Sequence, residues 1–176
     1  RDSFRTFIDA PIASASISQV HKATLITGEN VVVKVQRPGI KKIIEADMDI
    51  MLHFAILIQR HVHKMDILNP IGIVKEFNRS IKKELDFKIE AVHIERFGKN
   101  FQDNESIYVP KIYRSYSTGK VLTMEFIEGI KVSNIDAVLK LGNDPKIIAE
   151  RGANLVLAQI FTYGFFHADP HSGNIL

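Results

Sequence analysis

Hydrophobic positions in this chain change period several times. From Thr6 to Leu25 they read as strand, turn, strand, with Pro11 and the small-residue run Ala13-Ser14-Ala15-Ser16 at the turn and Ile17, Val20 and Leu25 following with β character. Gly28-Glu29-Asn30 is a second turn. Val31-Val32-Val33-Lys34-Val35 is then a β-branched strand carrying one lysine, ended by Pro38-Gly39. These segments predict a small antiparallel sheet. Next the spacing becomes three and four: Ile40, Ile43, Ile44, Met48, Met51, Phe54, Ala55 and Ile58 predict a helix from about Ile40 to His63 with one apolar face. Asn69-Pro70 punctuates, and Val74, Phe77, Ile81 and Leu85 predict a second helix from about Ile71 to Lys83. The pattern leaves open whether that helix continues or bends near Asp86. Helix resumes through Glu90, Ile94 and Phe97, with Gly98 as its C-terminal cap.

Ile107 to Tyr116 reads as a strand interrupted by Pro110, and Thr118-Gly119 as a hairpin turn into the strand Val121 to Phe126. Asn134 caps a short helix ending near Gly142, and Pro145 opens a last helix to about Tyr163. The order is β-rich, helical, β, helical, loop. That is an α+β chain without an internal repeat or a low-complexity linker.

Composition narrows the class. The 176 residues fit one domain, or two small lobes around one cleft, and 45% apolar content is enough for a packed core. There are no cysteines, which removes disulfides and thiolate metal sites. The net charge of +3 is small and spread along the chain, which argues against a nucleic-acid partner. Arg1, Asp2, Arg5 and Asp9 are incompatible with a signal peptide over the first ten residues. No stretch approaches the roughly 18 uncharged apolar residues of a membrane span. Because the chain starts in strand-like sequence and stops as an apolar strand begins at Asn174-Ile175-Leu176, it is expected to be a fragment.

Candidate chemistry is concentrated in the last loop, where Gly164, Pro170 and Gly173 break regular structure around His167, Asp169 and Asn174. That is the H-x-D-x-x-x-x-N spacing of a phosphotransferase catalytic loop. In that reading Asp169 accepts or orients the proton of an attacking hydroxyl, Asn174 ligates a magnesium ion on nucleotide phosphates, and His167 braces the backbone. Such D…N pairs also serve plain turns. Lys34 reads either as a lysine snorkelling from an exposed strand or as a phosphate contact fixed by a helix carboxylate, for which Glu84, Asp86 and Glu90 are available. The loop of Ala13, Ser14, Ala15, Ser16 and Ser18 precedes the lysine strand, where a kinase carries its phosphate-covering loop; small side chains there allow close backbone approach. Met124 to Gly129, with Glu125 and Ile127, stands where a kinase hinge would meet adenine. His61 with His63, and His167 with His171, are weak candidates for a transition metal. Each feature has an ordinary structural reading. Their order along the chain is that of a nucleotide-dependent phosphotransfer scaffold.

The same residues resemble the UbiB family of atypical kinase-like proteins. Pro11 to Ala23 is similar to its alanine-rich loop, Val33-Lys34-Val35-Gln36-Arg37-Pro38-Gly39 to its lysine strand, Glu84-Leu85-Asp86-Phe87 with Glu90-Ala91 to its E-x-D motif and following helix acid, and Phe165 to Asn174 to its catalytic loop. The resemblance covers nearly the whole chain. It implies a protein-kinase-like two-lobed fold: an N-lobe over residues 1–126 with a helical insertion at about 40–85, and the start of a C-lobe over 127–176. It also implies binding of ATP or ADP with Mg2+, and a link to isoprenoid quinone (ubiquinone) biosynthesis. Quinone-precursor lipids or quinone-biosynthesis proteins would be its partners. The protein would be cytoplasmic or peripheral at a membrane or organelle, attached through parts outside this chain. Residue by residue, Lys34 would contact phosphate, Glu90 would pair with it, Asp169 would be the catalytic carboxylate and Asn174 a magnesium ligand. Glu84 and Asp86 would lie over the site where a protein substrate would otherwise dock. Ser14 stands where the family commonly has a third alanine and Ser18 where it has glycine. The family's K-x-G-Q segment would precede Arg1 and its D-F-G aspartate would follow Leu176, so the fragment alone is expected to be inactive. Two other classes remain open: a nucleotide- or lipid-binding pseudokinase scaffold, and a small-molecule phosphotransferase.

Overall fold

The computed structural model describes residues 3–61, 69–166 and 176. Among them, five strands form one antiparallel sheet: β1 (Phe4–Phe7), β2 (Ala13–Ser14), β3 (Ser18–Leu25), β4 (Asn30–Gln36) and β5 (Val121–Glu125). The order is β1-β3-β4-β5, and β2 also pairs with β3. The valine run lacks hydrophobic alternation because β4 is covered on both faces. Val31 and Val33 pack with Ala23, Leu25, Phe4, Tyr113 and Tyr116 on one side. Residues 32, 34 and 36 point to the other side, where Leu122 meets Ile112, Phe87 and Ala91.

Two long helices follow the sheet, α1 (Ile40–His61) and α2 (Pro70–Glu84). They pack against each other and bury Met48, Ala55 and Val74. Asn69 opens α2 in the left-handed region at φ 43°, its Oδ1 accepting from the Gly72 N–H at 3.0 Å, with Pro70 at the first helical position. The chain then bends. Leu85 ends α2, and the Asp86 carboxylate accepts from the Lys88 N–H at 3.0 Å, closing the first turn of α3 (Phe87–Asn100). Gly98, expected as a cap, lies inside α3; a Cβ there would stand 3.5 Å from Val109, an ordinary packing distance.

The strand expected over Ile107 to Tyr116 is reduced to one bridge between Ile112 and Met124 and a 3₁₀ turn at Arg114–Tyr116. Pro110 has no N–H for a ladder. The carbonyls of Tyr113 and Tyr116 turn instead toward the Ser117 and Thr123 hydroxyls, at 2.9 and 2.8 Å.

The chain divides into two compact units, residues 1–95 with 111–126, and residues 96–110 with 127–176. The second contains α4 (Ile135–Lys140) and α5 (Pro145–Phe161). Asn134 and Asp144 cap these helices, accepting from the Ala137 and Lys146 N–H groups. Phe101 is buried there, with ring centroids of Phe97 and Tyr163 at 4.8 and 4.9 Å. No helix among the described residues is long and apolar enough to cross a membrane.

Phe87 is fully buried between α3 and the sheet. Phe87→Ala is therefore expected to cost about 3–5 kcal/mol in equilibrium denaturation. Ile73→Ala, at a side chain 60% exposed, should stay within about 0.5 kcal/mol of wild type. Equal losses for the two would contradict this packing.

Candidate functional site

Strand alternation aims Lys34 at α3. Its Nζ donates to both carboxylate oxygens of Glu90, each at 2.8 Å, across 56 residues of sequence. The Lys34 and Glu90 side chains retain 22% and 34% exposure, so the pair is reachable from solvent. The ammonium also lies 4.9 Å from the centroid of the Phe87 ring. An ammonium has three N–H donors, and two are directed at Glu90. The third suits an anionic oxygen. Glu90 reaches the lysine because the bend at Asp86 restarts the helix, placing Glu90 in the first turn of α3.

Two residues beyond Lys34 the strand reaches further elements. The Gln36 side-chain amide donates to the Leu85 carbonyl, in the middle of Glu84-Leu85-Asp86. Arg37 donates from Nε to the Ala15 carbonyl at 3.0 Å and from Nη2 to the Ser14 Oγ at 2.6 Å. Its backbone N–H donates to the Ile17 carbonyl at 2.9 Å. The sequence motif includes both residues, but neither was given a role from it. The available signal was two hydrogen-bonding side chains at the end of an otherwise apolar strand, next to Pro38-Gly39.

The small-residue segment divides in two. Ala13 and Ser14 belong to β2, and Ala15 and Ser16 form an exposed turn whose Ala15 N–H donates to the Ser18 carbonyl at 2.9 Å. Ser18, expected as part of that loop, is instead the first residue of β3, with 1% of its surface exposed. Among described non-glycine residues only Asn69 has positive φ, so serine at position 18 carries no left-handed strain.

Glu84 is the exposed last residue of α2. Asp86 serves as the helix cap described above, and Gly119 approaches it so closely that a Cβ there would lie 3.1 Å from Oδ1. Glu125 ends β5; its N–H donates to the Lys111 carbonyl at 2.9 Å and its carboxylate accepts from the Lys111 N–H at 3.1 Å. Ile127 is half-buried in the second unit. His61 closes α1 with Nδ1 2.9 Å from the Leu57 carbonyl. Asp169 and Asn174, with His63, His167 and His171, lie outside the described residues.

A further ion pair steadies α3. Arg114 forks onto Glu95, with Nε to Oε1 at 2.7 Å, which holds the Glu95 carboxyl below the usual carboxylate range. Burial, with the nearby Glu29 and Glu125 charges, pushes the Tyr113 phenol up.

The ABC1 atypical kinase-like domain matches residues 1–176, the whole chain. The chain belongs to the ABC1 atypical kinase-like family. It is 40% identical over 173 residues to the probable protein kinase UbiB of Photobacterium profundum, covering 98% of this chain and 32% of that protein. To the probable protein kinase UbiB of Shewanella denitrificans it is 42% identical, with the same coverage. The chain thus spans about a third of the length of these relatives. Among solved structures, the complex of Rv3197 with erythromycin from Mycobacterium tuberculosis superposes with a TM-score of 0.82 at 31% identity, over 100% of this chain and 44% of that one. The α+β chain therefore has a kinase-like fold. Its small antiparallel sheet carries Lys34, paired with Glu90 of α3.

Proposed function

We propose that this chain is the nucleotide-binding portion of an atypical kinase or ATPase that uses Mg-ATP or Mg-ADP and supports isoprenoid quinone biosynthesis. The observation that carries the reading is the Lys34–Glu90 pair, a strand lysine held by both oxygens of a helix carboxylate. Phosphoryl transfer is mostly positioning and charge stabilisation, and a lysine fixed by a glutamate on the facing helix is one of its recurring parts. Lys34 would orient phosphate oxygens while Glu90 holds it in place. Asp169 would orient the attacking hydroxyl or water, and Asn174 would ligate magnesium. The ion, when bound, neutralises charge on the phosphate oxygens. The quinone link and any membrane partner rest on the resemblance to UbiB proteins.

The test is calorimetric titration of the full-length protein with ADP, with and without magnesium, alongside an ATP hydrolysis assay. Magnesium-dependent ADP binding with ATP turnover is the expected result. Binding without turnover would leave a scaffold, and no binding at any nucleotide concentration would remove the reading.

A further inference from the structure

Three residues at and just after the end of β4 fasten three separate segments. Lys34 holds Glu90 of α3, Gln36 holds the Leu85 carbonyl, and Arg37 holds the turn that follows β2. The first contact belongs to the function proposed above. The third has no role in it.

From this juxtaposition we propose that Arg37 is a positioning residue that clamps the small-residue turn Ser14–Ile17 against the lysine strand, with the Ser14 hydroxyl as a specific part of the clamp. The inference rests on the nucleotide reading, because the turn matters to function only as a phosphate cover. Its geometry stands alone. Ser14, Ala15 and Ser16 are small and exposed and supply almost no packing to hold the backbone; only Ile17, at the far end, is half-buried against the Phe87 cluster. A guanidinium presents several N–H donors in a rigid fork, and here separate nitrogens reach the Ala15 carbonyl and the Ser14 Oγ. The Arg37 N–H fixes the far side of the turn through the Ile17 carbonyl. The turn is therefore held at residues 14, 15 and 17, all by Arg37, the residue after β4. An alanine at position 14 would leave the Arg37 Nη2 without that acceptor. Serine there converts an inert small residue into a latch.

A clamp of this kind alters how tightly a ligand is gripped rather than the chemistry at its terminal phosphate. In the full-length protein, Arg37→Met should raise hydrogen exchange of the amides in residues 13–17 severalfold. It should weaken magnesium-dependent ADP binding and raise the KM for ATP about tenfold, with kcat within about twofold of wild type, the scale of losing charged hydrogen bonds at a partly exposed site. Ser14→Ala should do the same on a smaller scale, about threefold, and is too mild a change to unfold the protein. Because both act through one contact, Ser14→Ala in the Arg37→Met background should add nothing.

The outcomes separate. If wild type binds ADP but both variants match it in exchange and in KM, the clamp is overturned and the nucleotide reading stands. Independent, additive effects of the two substitutions would also overturn it. A fall in kcat with KM unchanged would overturn positioning of the ligand grip as the role. If wild type binds no nucleotide, both proposals fall, whatever the exchange data show of the turn.

Discussion

Lys34→Met is expected to lower ATP turnover by the full-length protein by about 10²–10³, the scale seen when one preorganised donor to transition-state charge is removed. Glu90→Gln should lower it less, because the amide still accepts one hydrogen bond from the ammonium while the fixing charge is lost. The double variant should be no worse than Lys34→Met alone, since Glu90 acts through the lysine. Stability separates this from unfolding. The pair is partly exposed, at 22% and 34%, and such ion pairs contribute little to folding. Melting temperatures of all three variants should therefore stay within a few degrees of wild type while activity falls. Turnover by Lys34→Met within threefold of wild type would show that the pair is structural. A parallel collapse of stability and turnover would show that the ammonium is needed for packing against Phe87 rather than for phosphate.

The elements of the sheet and the helices were legible where one period ran unopposed. Val31 to Val35, the helix from Ile40, and the capped helices after Asn134 and Asp144 all appear near the predicted bounds. What local pattern missed was decided by distant partners. Ile112 to Tyr116 has β-forming residues, yet the hydroxyls of Ser117 and Thr123 draw its carbonyls into a 3₁₀ turn. Gly98 resembles a cap in sequence, but α3 runs through it beside Val109.

The site divides in the same way. Lys34 and Glu90 were readable as residue types that chemistry requires, and their pairing depends on the break at Leu85-Asp86, which the periodicity left open. Ser18 was misplaced because the sequence alone does not show that β3 begins there and buries its side chain. The contacts of Arg37 were not legible because its partners are a carbonyl and a hydroxyl 22 and 23 residues away, and neither leaves a charge pattern in the sequence.

The second large effect is expected from Asp169 and Asn174, and it distinguishes an enzyme from a scaffold. By resemblance Asp169 serves the attacking group and Asn174 serves magnesium, so their losses should carry different signatures. Asp169→Asn preserves shape and most hydrogen bonding but removes the charge. It should leave ADP affinity within a few fold and lower ATP turnover by about 10²–10⁴, the range for a positioned proton acceptor. Asn174→Ala should instead weaken magnesium-dependent ADP binding, because Asn174 would help hold the ion that neutralises charge on the phosphates. Binding without magnesium should be the same in Asn174→Ala and wild type, which ties any loss to the ion rather than to general damage. The measurements are ATP hydrolysis and ADP titration, with and without magnesium, for both variants of the full-length protein. Wild-type turnover no faster than that of Asp169→Asn, with binding intact in both, would defeat the enzyme reading. The protein would then be a nucleotide-binding scaffold in which Lys34 and Glu90 grip phosphate without advancing its transfer.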